Sequence, residues 1–247
     1  MNRILEICCA DIESVDAAVR GGADRIELCC ALSEGGLTPS AGLIAEAVSR
    51  NVPINVLIRP RSGDFAYSSD EINVMLRDIS LAAAFGANGV VIGALLPNGS
   101  IDVKACRRMT EAAKEKGLSV TFHRAFDMCS NAMEALEDVV STGADRILTS
   151  GLASTALNGA DLLAKLNNAA AGRITIMAGC GVTPDNISEI IQRTGVTEVH
   201  ASAKTTKQSS MTFRNETAKM GKADADEYAR TVTSETNVAQ LANIIHN

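Results

Sequence analysis

The chain has 247 residues, 46% of them apolar and 21% charged, with a formal net charge of −6 and only 3% aromatic side chains. A chain of this length and apolarity can bury roughly three quarters of its unfolded surface, so a folded globular protein is expected, and its negative balance and few stacking rings argue against nucleic acid as a partner. No apolar stretch approaches the roughly 20 residues that span a bilayer, and Glu6 sits where a signal peptide needs an apolar run, so no membrane partner is expected and the cytoplasm is the expected location.

Taken from the N-terminus, short β-branched runs at 4–9, 25–30, 54–59, 89–94, 119–125, 146–150, 173–178 and 198–202 read as eight strands. Between them, apolar stretches of helical period fall at 12–20, 41–50, 69–85, 103–116, 132–142, 159–171 and 184–194, with a last one at 235–245. Turns GGAD at 21, FGAN at 85, TGAD at 142 and TGVT at 194 each put a glycine just past a helix and lead directly into the next strand. Strand and helix alternating over this length predict parallel βα units, and eight of them predict an α/β fold, a closed (β/α)8 TIM barrel of one domain over 1–247. A doubly wound open sheet is the competing arrangement. One echo supports the unit reading, because LEICC at 5–9 recurs as IELCC at 26–30. The rhythm breaks only at 204–230, a polar excursion that could serve as a lid carrying Phe213, Arg214 and Asn215 or simply cross the surface.

Side chains alternate between the two faces of a strand, which sorts these runs. Leu5 and Ile7 share one face and Glu6 and Cys8 the other; strand two repeats this with Ile26 and Leu28 against Glu27 and Cys29. Strand three sets Val56 and Ile58 against Leu57, Arg59 and Arg61, and strand eight sets Val199 against His200 and Ser202. The apolar parity should face the helices and the polar parity the barrel axis. Buried charges are costly unless paired, so Glu6 and Glu27 are expected to pair with Arg59 and Arg61 around His123 and His200. The mouth is expected to be polar and the base apolar.

Strand five carries its polar residues at its C-terminal end, in SVTFHRAFD, which brings His123, Arg124 and Asp127 to the rim where barrels hold their ligands. The loop RPRSGDF at 59–65 sets two arginines and Asp64 around a glycine, a combination suited to clamping a carboxylate or phosphate or to holding the loop itself. The loop GCGVTPD at 179–185 has the glycines of a phosphate cradle, against which Asp185 argues. Seven cysteines are an odd number for a disulfide framework, and the pairs Cys8–Cys9 and Cys29–Cys30 lie within predicted strands, so reduced thiols are expected.

The motifs GGADRIELC at 21–29, EGGLTPS at 34–40, IRPRSGDFAYS at 58–68, TFHRAFDM at 121–128, RILTSG at 146–151, TEVHASA at 197–203 and FRN at 213–215 run through the chain from end to end. In these it resembles the CutC copper-homeostasis family. The resemblance implies a (β/α)8 barrel, a cytoplasmic homo-oligomer (dimer or tetramer) and a link to copper, with ligands sought among the cysteines; Cys8 and Cys29 fall inside matched motifs. Copper(I) prefers thiolates, and these two lie at equal depth on neighbouring strands, with His123 or His200 as a third ligand. The alternative is an enzyme acting on a small anionic substrate at the mouth. His123 would then be the acid or base, with Glu27 or Asp127 orienting it or sharing the proton. Arg59 and Arg61 would hold the anion, and Glu6, Asp64, Arg124, Ser150, His200 and Ser202 would complete the binding set. No lysine falls in a predicted strand, against a Schiff base, and no organic cofactor is implied.

Overall fold

The computed structural model describes residues 3–218, 220 and 226–247. Eight strands follow one another around a closed ring: β1 (Ile4–Cys9), β2 (Arg25–Leu28), β3 (Ile54–Leu57), β4 (Gly89–Ile92), β5 (Ser119–Phe122), β6 (Arg146–Thr149), β7 (Thr175–Gly179) and β8 (Glu198–Ala201). Every neighbouring pair is parallel, and β8 returns to β1. Helices α1 (Ile12–Arg20), α2 (Ala41–Val48), α3 (Ser69–Ala84), α4 (Val103–Lys114), α5 (Ala132–Ser141), α6 (Ala160–Ala170), α7 (Ile187–Thr194) and α8 (Glu235–His246) alternate with the strands. The fold is thus the TIM barrel expected from the alternation, and the open sheet is ruled out. Among the described residues no helix is long and apolar enough to cross a membrane.

The parity rule explains the ring. Leu5, Ile7, Ile26, Leu28, Val56, Ile92, Phe122, Ile147, Ile176 and Val199 are all buried in the layer between barrel and helices, each side chain contributing about 1.5–3 kcal/mol by leaving water. The opposite parity forms a second, small apolar cluster of Cys8, Cys29, Leu57 and Val91 inside the barrel. Helix starts are set by local side-chain caps: Asp11 accepts from the Ser14 N–H, and Ser68 and Glu71 form a reciprocal capping box at α3.

Three expectations need correction. The base is charged, not apolar: Arg25, Arg146 and Glu198 meet there, because the inward parity at the N-terminal ends of β2, β6 and β8 is occupied by long ionic side chains that reach one another across the axis. Several strands also stop short of their expected C-terminal ends. The strands end at Leu28, Leu57 and Phe122, so Cys29, Arg59 and His123 stand just beyond them, although the N–H groups of Cys29, Ile58 and His123 still donate to carbonyls of the neighbouring strand. Helix α7 begins at Ile187 rather than at 184, because Asn186 accepts from the Thr183 N–H and donates to the Gly181 carbonyl, tying the preceding residues into a turn.

The ends of the polar excursion pair with each other as antiparallel strands β9 (Lys204–Gln208) and β10 (Ala229–Thr233), outside the barrel. This ribbon is fastened to the start of α1, where Glu13 receives Lys207 and Arg230 and the Thr233 N–H donates to Ser14 Oγ. Phe213 is 72% exposed, the Arg214 guanidinium lies 4.4 Å from the Tyr228 ring centre, and the Asn215 N–H donates to the Tyr228 hydroxyl. Residues 219 and 221–225 of the excursion lie outside the described residues.

Candidate functional site

The inward side chains of β1, β2 and β8 meet because their registers put Glu6 opposite His200 and Cys8 opposite Glu27. Glu6 has no solvent exposure. It accepts from Arg25 Nε at 2.5 Å and from His200 Nδ1 at 2.8 Å. Arg25 also donates to Glu198 at 2.5 Å, and Arg146 donates to Glu198 at 2.7 Å. A ladder of alternating charge therefore climbs from the base to His200. Burial pushes the Glu6 carboxyl upward, but His200 and Arg25 outweigh it and hold its pKa down at about 2. Burial likewise works against a protonated His200, yet Glu27, Cys8 and Glu6 raise its pKa well above the usual value. Burial raises the pKa of Glu27, with the nearby imidazolium opposing.

This corrects the expected pairing. Glu6 is neutralised by Arg25, a residue absent from the candidate set, and not by Arg59 or Arg61. Arg61 points away from the axis, to Glu71 at 2.5 Å and Asp64 at 3.1 Å, with its guanidinium 5.1 Å from the Tyr67 ring. Arg59 does reach the mouth, yet its two Nη atoms donate to the carbonyls of Glu34, Gly36 and Gly63. It fastens the loops after β2 and β3 together, and its terminal nitrogens are committed to that task. Backbone carbonyls and neighbouring carboxylates thus engage the Nη atoms of Arg59 and the guanidinium of Arg61, while Arg59 Nε is buried with no partner among the described residues.

Around His200 stands a compact donor set. One ligand atom each from Cys8, Glu27 and His200 lies within 4.8 Å of the others, and the Cys8 sulfur is 3.6 Å from that of Cys29. The Cys29 contact and burial both push the Cys8 thiol well above its usual pKa. Room for these groups comes from glycines. A Cβ at Gly36 would lie 2.8 Å from Leu57 and 3.7 Å from the Cys29 sulfur, and one at Gly179 would lie 3.2 Å from the His200 Cβ.

Across the axis, His123 follows β5 and is 5% exposed. Its Nδ1 accepts from the Ala125 N–H at 3.1 Å, which leaves the proton of the neutral ring on Nε2. Nε2 is buried and has no hydrogen-bond partner among the described residues. Burial and the Arg59 charge hold the His123 pKa down at about 3, so near neutrality the ring is an uncharged donor. Gly93 makes space for it, since a Cβ there would come within 2.6 Å of Nδ1. Phe65 lies 5.0 Å away, centre to centre.

A cavity of about 670 Å³ opens at this end of the barrel, lined by Cys8, Glu27, Arg59, His123 and His200, with Ser202 and Lys204 at the rim. Glu6 and Cys29 lie beneath its surface, outside the lining. Arg124 and Asp127 also line it. The Asp127 carboxylate accepts from Thr149 Oγ1, from Ser150 N–H and Oγ, from the Leu152 N–H and from Arg124 Nε. Asp127 and Ser150 thereby brace the loop after β6. Arg25, Glu198 and Arg146 share the inward parity of Glu27, His200 and Leu148 and are the first residues of expected strands, so the parity rule finds them once it is carried to each strand's first residue.

The CutC family model matches residues 3–205 of the chain. A CutC family protein of Vibrio campbellii is 48% identical over 247 residues, covering 100% of both chains. One from Bacteroides fragilis is 50% identical over 236 residues, covering 94% of this chain and 93% of its own. A solved structure from Streptococcus agalactiae, bearing the name copper homeostasis protein CutC, aligns with a TM-score of 0.76 at 33% identity over 81% of this chain and 98% of its own. A phosphoribosylanthranilate isomerase from Thermotoga maritima aligns at 13% identity with a TM-score of 0.59, over 99% of this chain and 98% of its own, a likeness of fold alone.

Proposed function

The chain belongs to the CutC family, and from that premise we propose that it serves copper homeostasis by binding copper(I) through Cys8 and Cys29 beneath the barrel mouth. The observation that carries this reading is the 3.6 Å separation of the two sulfurs, at the C-terminal ends of neighbouring strands and inside the barrel. Two soft donors so close suit copper(I) better than any hard cation. Two thiolates and one copper(I) sum to −1, and an imidazolium at His200, fixed by Glu6, balances that charge; His200 then acts as counter-cation and not as the third ligand. All seven cysteines are free thiols, in keeping with work in the reducing cytoplasm. We take the functional unit to be the whole barrel over 1–247, assembled as the homo-oligomer the family resemblance implies, which light scattering of the purified protein tests.

The test is an anaerobic copper(I) titration against a competing chelator. One tight site per chain is expected, abolished by Cys8→Ser and by Cys29→Ser and unaffected by His123→Ala. Weak binding that survives both cysteine changes would refute the reading.

A second reading, an enzyme acting on a small anionic substrate, has one observation in its favour: the buried His123 Nε2–H, without a partner among the described residues, at a wall of the cavity. Such a donor stabilises oxygen charge developing on a substrate, and Glu27, whose pKa burial raises, lines the same space as a carboxylate able to carry a proton. Small carboxylates or phosphates that stabilise the wild type in thermal shift, but not His123→Phe, would support it; no response from any of them would remove it.

A further inference from the structure

The thiol pair uses only part of the donor set around Cys8. Glu27 and His200 also stand beside Cys8, and neither is a ligand to copper(I) in that reading. We propose that Cys8, Glu27 and His200 form a site for a divalent transition-metal ion, zinc above all, opening into the barrel mouth.

Three observations carry this. The three ligand atoms already lie within 4.8 Å of one another; bonds of about 2.0–2.3 Å to one zinc ion put tetrahedral donors roughly 3.3–3.7 Å apart, so a small rotation of side chains closes the set. His200 is prepared for it from behind. Its Nδ1 is taken by Glu6 at 2.8 Å and Glu6 is fixed by Arg25 at 2.5 Å, which leaves Nε2 as the ligating nitrogen and reproduces the carboxylate–histidine pairing that orients metal-bound imidazoles. All three ligands line the cavity. Three protein ligands with a fourth side open to a cavity is the pattern of a zinc centre that exchanges a water or substrate, as opposed to one enclosed for structure.

Charge separates this site from the copper(I) site. A thiolate, a carboxylate and a neutral imidazole sum to −2, which a divalent ion cancels and a monovalent one leaves at −1 in a buried setting. The two sites share Cys8 and are mutually exclusive: copper(I) takes Cys29 as partner, zinc takes Glu27 and His200. The inference does not rest on copper binding.

Reduced, metal-free wild-type protein is titrated anaerobically with cobalt(II), followed by absorption, and with zinc(II) against a chromophoric chelator. One ion per chain and a thiolate-to-cobalt charge-transfer band are expected, and this reading needs no variant. Glu27→Gln and His200→Gln, checked for folding by circular dichroism, should each weaken zinc by more than the roughly 10–100-fold that losing an outer-shell partner costs. Glu27→Gln should leave copper(I) affinity unchanged, and Cys29→Ser should leave zinc affinity unchanged while abolishing copper(I) binding. Absence of the charge-transfer band overturns the proposal, as does zinc affinity that survives Glu27→Gln or is lost with Cys29. Failure of copper(I) binding alone would overturn the copper reading and leave this one standing.

Discussion

Replacing Glu6 by Gln tests the charge ladder at its centre. The side chain has no exposed surface and accepts from Arg25 and His200, so solvent screening does not reduce the effect. Its carboxyl falls from 4.5 to about 2 on folding, which at 1.36 kcal/mol per pKa unit corresponds to about 3 kcal/mol. Removing one partner of a buried ion pair costs about 3–5 kcal/mol by a separate route. The two agree, and Glu6→Gln should lose about 3–5 kcal/mol at pH 7. The pH dependence carries a sign. A folded pKa below the unfolded one gives stability that is fully present above about pH 4.5 and is lost as pH falls toward about 2. The gap between wild type and variant should therefore narrow across that window. Urea unfolding followed by circular dichroism at a series of pH values measures it. A loss under about 1 kcal/mol at pH 7, or a gap that stays constant down to pH 2, would refute the ladder.

His123 should remain neutral until about pH 3; because its folded pKa lies below the unfolded 6.5, the stability it confers is present above pH 6.5 and lost as pH falls to 3, and an NMR titration near 6.5 would contradict this. Gly93→Ala places a methyl 2.5 Å from His123 Cε1, so the ring must move; a loss of about 1–3 kcal/mol is expected, with displaced His123 ring resonances, and an unchanged spectrum would show the crowding to be relieved elsewhere. Arg59→Met removes the donors to the carbonyls of Glu34, Gly36 and Gly63, at about 1.5–3 kcal/mol for each charge-assisted bond that nothing replaces. Faster hydrogen exchange over 33–40 and 59–65 is the expected signature, and protection equal to wild type would remove the stapling role.

The barrel was legible because its signal is repeated: each βα unit spends an apolar run on the helix layer and ends a helix on glycine, and eight repetitions average out local errors. The inward direction of Glu6, Glu27 and His200 was legible for a similar reason, since Leu5, Ile7, Ile26, Leu28 and Val199 needed the other face. Pairing was not. Which cation meets Glu6 depends on register between strands, and parallel strands carry no turn that announces it; β1 and β2 align Glu6 with Arg25, while Arg59 stands at the far end of β3. The roles of Arg59 and Asp127 were hidden for another reason. The Arg59 Nη atoms bond only backbone carbonyls, and Asp127 adds the N–H groups of Ser150 and Leu152 to its side-chain partners; a backbone carbonyl or N–H has no residue-specific mark in a sequence.

The charged base and the polar mouth are parts of one arrangement. Glu198 is shared by Arg25 and Arg146, and Arg25 is shared by Glu198 and Glu6, so every ion in the column has a counter-ion toward the base. The column's last free valence is the imidazole of His200, which Glu6 holds from below while Cys8 and Glu27 face it from the cavity side. An apolar base would bury His200 beside a lone carboxylate with nothing to fix that carboxylate, and the ring would be free to turn. The ionic column is thus the support that aims one nitrogen at the mouth. Stability alone would be served as well by leucine and valine layers, so the column is better explained by what it positions than by what it stabilises.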